Sequence, residues 1–110
     1  MKYVCLVYGE EHLMATMSDA ECLANGQTLK STGHYVTGEA LRPVRDAVTV
    51  RVRQGAMSIT DGPFAETKEQ LAGFYLIDAK DLDEAVQIAS TIPPARIGSI
   101  EVRPVRELTP

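Results

Sequence analysis

Two segments of the chain, residues 2–9 and 72–79, are apolar on both faces of an extended strand. A strand that buries both faces is central in its sheet and is covered on each side, so these segments predict a central pair. The sequence leaves open which face of each strand meets the helices. The alternating sets are Tyr3, Cys5 and Val7 against Val4, Leu6 and Tyr8 in the first segment, and Phe74 and Leu76 against Tyr75 and Ile77 in the second.

Further extended segments are predicted at residues 34–41, 47–53, 56–60 and 98–105. Gln54-Gly55 is typical of a hairpin turn, and it joins the second of these segments to the third. Loops are predicted at residues 9–12 and at the turn-forming run 61–64. Alternation predicts that Val48, Val50, Val52, Ile100 and Val102 face inward, and that Thr49, Arg51, Arg53, Ser99, Glu101 and Arg103 face outward.

Two helices are predicted, at residues 18–32 and from residue 82 to the Pro93-Pro94 pair. Ser18 with Glu21, and Asp81 with Glu84, have the spacing of a capping box. Gly33 is a plausible stop for the first helix. That helix is weak, because Gly26 costs about 1 kcal/mol relative to Ala and the apolar stripe is thin. The stripes are Ala20, Leu23 and Leu29 in the first helix, and Leu82, Ala85, Val86, Ala89 and Ile92 in the second.

The resulting order, β-α-β-β(-β)-α-β, predicts an α+β fold on the split βαβ, ferredoxin-like plan with an extra hairpin. One domain spanning residues 1–110 accommodates this order. In this plan the first strand and the strand before the second helix are the central pair, in agreement with their two apolar faces. Helices cover only one face of such a sheet. We therefore expect a homodimer through the other, apolar face, or else a ligand that lies on it.

Charge and composition exclude several partners. The 110 residues carry a net charge of −4, which argues against a nucleic-acid partner. The cluster Arg42, Arg45, Arg51 and Arg53 is either a solvated face or an anion-binding patch. No apolar run is long enough for a membrane span or a signal peptide, so we expect a cytoplasmic protein without a membrane partner. Cys5 and Cys22 are then expected to be reduced and largely buried.

Residues 60–78, TDGPFAETKEQLAGFYLID, resemble the DGPF-type branch of the YCII-related family. Flanking segments at residues 1–3, 38–41, 49–53, 92–93 and 101–105 resemble it too. The resemblance implies a dimeric α/β barrel in a bacterial cytoplasmic protein, in a family that is mostly uncharacterised. Relatives in the wider superfamily bind small hydrophobic or aromatic molecules between sheet and helices, and some are cofactor-independent enzymes. The wider YCII-like group has a His/Asp pair whose His lies in the first helix. The predicted helix 18–32 contains no His, so this pair cannot be assigned to residues of this sequence.

Asp61 is the first candidate catalytic residue, since a carboxylate at a strand end beside Gly-Pro could lie near a barrel mouth and serve in acid–base chemistry. The alternative is a structural role, in which it bonds the backbone of its own turn. Glu39, in an extended segment that could face a cavity, is the second catalytic candidate. The ligand-binding candidates are Arg42, Glu66, Lys68 and His34.

No metal site is predicted, because the histidines do not have the spacing of metal ligands. No cofactor is predicted, because the sequence has neither a dinucleotide-binding motif nor a phosphate-binding loop. Two functions remain open at this point. The first is small-molecule binding or cofactor-independent catalysis, with a pocket between sheet and helices. The second is a non-catalytic dimeric interaction or regulatory module.

Overall fold

A computed structural model describes all 110 residues. Two 3₁₀ turns, Val44–Asp46 and Pro93–Arg96, accompany the regular elements. None of the helices is both long and apolar enough to cross a lipid bilayer. The elements in chain order are β1 (Lys2–Gly9), α1 (Glu11–Met14), α2 (Asp19–Ser31), β2 (Tyr35–Ala40), β3 (Val48–Arg53), β4 (Ala56–Asp61), β5 (Gln70–Asp78), α3 (Leu82–Ser90) and β6 (Ser99–Pro104).

Four strands form one antiparallel sheet in the order β2-β5-β1-β6. Strands β1 and β5 are therefore the central pair, and the ferredoxin-like α+β plan predicted from the sequence is confirmed. Their register pairs Tyr3 with Ile77 and Cys5 with Tyr75. Beyond Val7 the register of β1 against β5 shifts, so that Tyr8 pairs with Leu71. Strands β3 and β4 form a separate two-stranded sheet, referred to below as the hairpin.

The two faces of the four-stranded sheet are unlike each other. Tyr3, Cys5, Val7 and Ile77 are almost fully buried against the helices, with Ile100 and Val102 packed against them as predicted. In each central strand, the side chains that point away from the helices are only half-buried. That set, here called the open face, comprises Val4, Leu6, Tyr8, Phe74 and Leu76.

Both predicted helices are confirmed together with their N-terminal caps. The Ser18 hydroxyl accepts the Glu21 N–H at 3.4 Å, and the Asp81 carboxylate accepts the Glu84 N–H at 2.9 Å. The Glu84 carboxylate in turn accepts the N–H of Lys80 at 3.0 Å, one residue before the cap. The backbone N–H of Gly33, whose φ is +80°, bonds back to Lys30 and marks the end of α2.

The predicted orientation of the hairpin is wrong. Val48, Val50 and Val52 are 56–60% exposed, whereas Thr49 and Arg51 on the opposite side are half-buried. The cause is that the hairpin pairs only with itself, so alternation gives it an apolar face without an inside to turn toward. Its turn is as predicted, since Gln54 and Gly55 both have positive φ, 52° and 77°.

Two smaller predictions also need correction. Residues 11 and 12, expected in a loop, belong to α1, because the Met14 N–H reaches the Glu10 carbonyl at 2.9 Å and Met14 packs against the core. Both cysteines are free thiols, and Cys5 is buried as expected. Cys22 is only half-buried, because it lies on α2 beside open space.

Candidate functional site

A cleft of about 490 Å³ separates α2 from the helix-covered face of the sheet. We call it the α2 cavity. Its floor includes Val7, Gly73 and Tyr75 from the two central strands, and its roof includes Cys22 and Gly26 from α2. The remaining lining residues are Met14, Met17, Asp19, Leu23, Gln27, Lys30, Tyr35, Gly38, Glu39, Ala40, Leu41, Ala72, Phe74 and Pro94.

The composition of α2 explains why this cavity exists. Only Leu29 of the 13 residues in the helix is buried, so one large side chain anchors α2 to the core. One turn earlier, Gly26 presents no side chain, and a Cβ built there would meet no atom within 4 Å. Leu23, a member of the stripe predicted from the sequence, is 71% exposed. A helix with so few apolar contacts leaves space above the sheet.

Two tyrosines lie on the sheet side of the cavity. The rings of Tyr35 and Tyr75 pack edge to face with centroids 6.4 Å apart, an arrangement that aromatic pairs prefer. The Tyr35 hydroxyl donates to the Gly38 carbonyl at 3.2 Å, and the Lys30 ammonium lies 5.1 Å from the Tyr35 ring centre. Burial raises the pKa of Tyr75, and the nearby Cys22 thiol raises it further. The phenol of Tyr75 is therefore held in its neutral, hydrogen-donating form.

Asn25 carries the unsatisfied polar group of this region. Its Oδ1 accepts the Thr91 hydroxyl at 3.3 Å, but its Nδ2 is buried without a hydrogen-bond partner. The Asn25 side chain lies close enough to the Tyr75 phenol to lower its pKa, which opposes the effect of burial. The Asn25 Nδ2 nevertheless forms no hydrogen bond of regular geometry with Tyr75. A buried donor without a partner costs about 1–3 kcal/mol. An acceptor placed beside Asn25 would remove that cost.

A second and larger space, a groove of about 830 Å³, lies between the hairpin and the end of the sheet. Tyr8 and Leu71 line it on the sheet side, and Val48 and Val50 line it on the hairpin side. The ring of Phe64, at the rim, is 80% exposed. The Arg51 guanidinium lies 5.8 Å from that ring.

The two candidate catalytic residues lie apart. Asp61, the last residue of β4, is exposed and makes no hydrogen bond or ion pair through its side chain. The turn after it is held instead by the Gly62 N–H, which donates to the Ala47 carbonyl at 2.8 Å. Glu39 is exposed on the edge strand β2 and lines the α2 cavity.

The ligand-binding candidates are also dispersed. The His34 Nδ1 hydrogen bonds to the Asp78 carbonyl at 2.9 Å, whereas Arg42, at the far end of β2, pairs with Asp46 at 3.0 Å and lines the groove. Because β2 separates them, these two side chains are about 20 Å or more apart. Glu66 is exposed and unpaired. The structure does not assemble the predicted residues into one site.

Lys68 belongs to a polar cluster at the end of β1. Its ammonium lies 3.3 Å from the half-buried carboxylate of Glu10, and the His12 Nε2 lies 3.6 Å from the same carboxylate. The first helix of the chain, α1, thus contains a His after all. Its acidic neighbour is Glu10, and no Asp pairs with it.

Sequence reasoning missed the residues that form the α2 cavity, above all Cys22, Gly26 and Tyr75. The one available signal was the thin apolar stripe of α2, which indicated a weak helix and also implied incomplete packing beneath it. Tyr75 was identified as a strand residue, but its face was left open.

Comparison with known proteins gives two findings. The model of the YCII-related domain matches residues 1–109. An uncharacterised protein of Rhizobium meliloti (strain 1021) is 40% identical, in an alignment that covers 96% of this chain and 92% of the relative.

Proposed function

The chain belongs to the YCII-related family, and we propose that its function is to bind a small, largely apolar molecule in the α2 cavity. The observation that carries the proposal is the cavity itself. It is a cleft of about 490 Å³, open to solvent on one side and lined mostly by apolar residues. Pockets that bind small molecules span roughly 300–1,000 Å³.

The lining of the α2 cavity favours a flat, aromatic ligand with one hydrogen-bond acceptor. Met14 and Met17 offer adaptable apolar walls, and Tyr75 offers an aromatic ring. The phenol of Tyr75 is a hydrogen-bond donor in this lining. An acceptor on the ligand would pair with that phenol and so would contribute to specificity as well as affinity.

A cofactor-independent reaction in this cavity would draw on the groups that line it. Asp19 is a carboxylate of its lining and could transfer a proton at the mouth. Glu39 lies at the cavity edge, but it pairs with Phe74, so its side chain is on the open face. Neither has the paired base or nucleophile that acyl or glycosyl transfer requires, so binding is the function that the geometry supports best. The proposal requires no cofactor.

The alternative is a non-catalytic dimeric module, which the open face favours. Val4, Leu6, Phe74 and Leu76 stand there uncovered by any helix, and the molecule is only 19 Å thick. Burying such side chains is worth about 1.5–3 kcal/mol each. We propose a homodimer that packs one open face on the other, and this arrangement is compatible with a ligand in the α2 cavity.

Ligand-observed NMR against a library of aromatic fragments tests the binding proposal. Gly26→Leu fills the α2 cavity from its roof, and Ala24→Leu adds the same side chain on an exposed part of α2. We expect reproducible binders to the parent and to Ala24→Leu, with saturation-transfer signals reduced at least fivefold in Gly26→Leu. Asp61→Ala should leave binding unchanged, because Asp61 does not line the cavity.

Three results would contradict the binding proposal. One is the absence of binders across a broad library, which would favour the dimeric module. Another is binding that persists in Gly26→Leu. The third is binding that Asp61→Ala abolishes while Gly26→Leu retains it, which would move the site to the base of the hairpin.

A further inference from the structure

The hairpin has one face that is apolar except for Asp61, which pairs with Val48 at the base of the hairpin, and one polar face. Its register pairs Val50 with Ile59 and Val52 with Met57, so these side chains share one side with Val48. These five residues are called the hairpin apolar face. The opposite side carries Thr49, Arg51, Arg53, Ser58 and Thr60.

Nothing in the monomer covers the hairpin apolar face. Its five residues are 56–66% exposed. The hairpin forms strand hydrogen bonds only within itself, and an isolated two-stranded ribbon is marginally stable in water. A hairpin of this kind needs a permanent cover.

The shape of the molecule shows the hairpin projecting as an arm. The radius of gyration is 15.6 Å, whereas a compact domain of this length has about 13 Å. The whole molecule, hairpin included, is flat, with extents of 46 × 43 × 19 Å. Such an arm lies beside the body and can reach a neighbouring molecule.

The hairpin apolar face is continuous with the open face of the sheet. The groove between them is lined by Tyr8 and Leu71 from the sheet and by Val48 and Val50 from the hairpin. One apolar surface therefore runs from the centre of the sheet, through the groove, onto the arm. A partner that packs on the open face would meet the arm at the edge of its contact.

The area of the arm indicates that it extends a larger interface. A fully exposed Val, Ile or Met side chain presents on the order of 60–120 Å² of apolar surface, so the hairpin apolar face presents roughly 200–350 Å². Stable interfaces bury about 800 Å² on each partner. The arm alone falls short of that area, but it adds substantially to an interface centred on the open face.

We infer that the hairpin is a dimerisation arm, whose apolar face packs against a second copy of this chain and closes the groove at the dimer edge. This inference rests on the proposed sheet-face dimer. The occupant is a second copy because the cover has to be permanent and continuous with that face, and a symmetric dimer gives each arm the same contact. The five side chains carry no charge, as is typical of homodimer interface cores, and the one carboxylate on that side, Asp61, lies at the base of the hairpin beside Val48.

Sedimentation velocity over a concentration series tests the inference with two neighbouring substitutions. Ile59→Glu places a charge on the hairpin apolar face, and Ser58→Glu places the same charge on the polar face. We expect Ile59→Glu to raise the dimer dissociation constant at least tenfold and Ser58→Glu to change it less than threefold. Equal dissociation constants for Ile59→Glu and the parent would overturn the inference.

Photo-crosslinking keeps the test valid if Ile59→Glu perturbs the hairpin itself. Benzoylphenylalanine at position 57 should give a covalent dimer on irradiation, and the same group at position 58 should give little. If position 57 gives only intrachain products while Leu6→Glu abolishes dimerisation, the sheet-face dimer stands and the arm inference fails. If the parent is monomeric at 100 μM or above, both fail.

Discussion

Replacing Gly26 with Ala is expected to stabilise the protein, although the residue is half-buried. A Cβ at this position meets no atom within 4 Å, so the added methyl group causes no clash. Gly in a helix interior costs about 0.5–1 kcal/mol relative to Ala. The unfolding entropy of a 110-residue chain is on the order of 230 cal/mol/K. The melting temperature of Gly26→Ala should therefore rise by about 2–4 °C.

Differential scanning calorimetry of Gly26→Ala and Gly33→Ala measures this effect with an internal control. Gly33 also has open space around a built Cβ, but its φ is +80°, a conformation that disfavours Ala. Left-handed backbone costs a non-glycine residue about 1–2 kcal/mol, so Gly33→Ala should melt lower than the parent. If Gly26→Ala melts lower as well, α2 packs tightly on the sheet and our account of the cavity is refuted.

Three further predictions concern the α3 cap and the thiols. Asp81→Ala should lower the free energy of unfolding by about 1 kcal/mol through loss of the Glu84 hydrogen bond; an unchanged urea midpoint would show that Asp81 is not the cap. Burial raises the pKa of Cys5 from 9.0 to about 11, so the folded protein holds that proton more tightly than the unfolded chain. The free energy of unfolding is then fully retained below pH 9 and falls by about 2–3 kcal/mol as the pH rises to about 11. Urea unfolding of Cys5→Ala should lack the part of this fall that Cys5 causes. An equal fall in Cys5→Ala and the parent would contradict this prediction. In thiol titration of the native protein, half-buried Cys22 should react before buried Cys5; a disulfide or equal rates would oppose this.

The sheet centre and α3 could be predicted because local signals were complete. The two apolar faces of β1 and β5 require two covers, which only a central position provides. Asp81 marks the start of α3, and a regular apolar stripe follows it. Pattern, cap and topology agree for these elements, so each supports the others.

The hairpin shows where alternation stops being informative. The spacing of Val48, Val50 and Val52 predicts one apolar face, and the structure has that face. The pattern does not say whether the cover is the same chain or another one. The inward prediction for these valines rests on alternation alone, which gives their common face but not what covers it.

The candidate site could not be predicted, because chemistry-bearing residues were chosen by type and proximity in sequence. His34 and Arg42 are eight positions apart in the sequence, yet an extended strand places them at opposite ends of the sheet. The α2 cavity depends instead on what is missing at Gly26, and Asn25, outside its lining, keeps an unpaired amide. Absent side chains and unpaired donors become visible only in three dimensions.

The central claim is that a small molecule binds between α2 and the sheet. Titration of ¹⁵N-labelled protein with a fragment that binds tests it most directly, because each amide reports its own surroundings. We expect the largest chemical-shift changes at residues lining the α2 cavity, notably Gly26, Gly38, Gly73 and Tyr75. Changes concentrated instead at Val50 and Phe64 in the groove would contradict it.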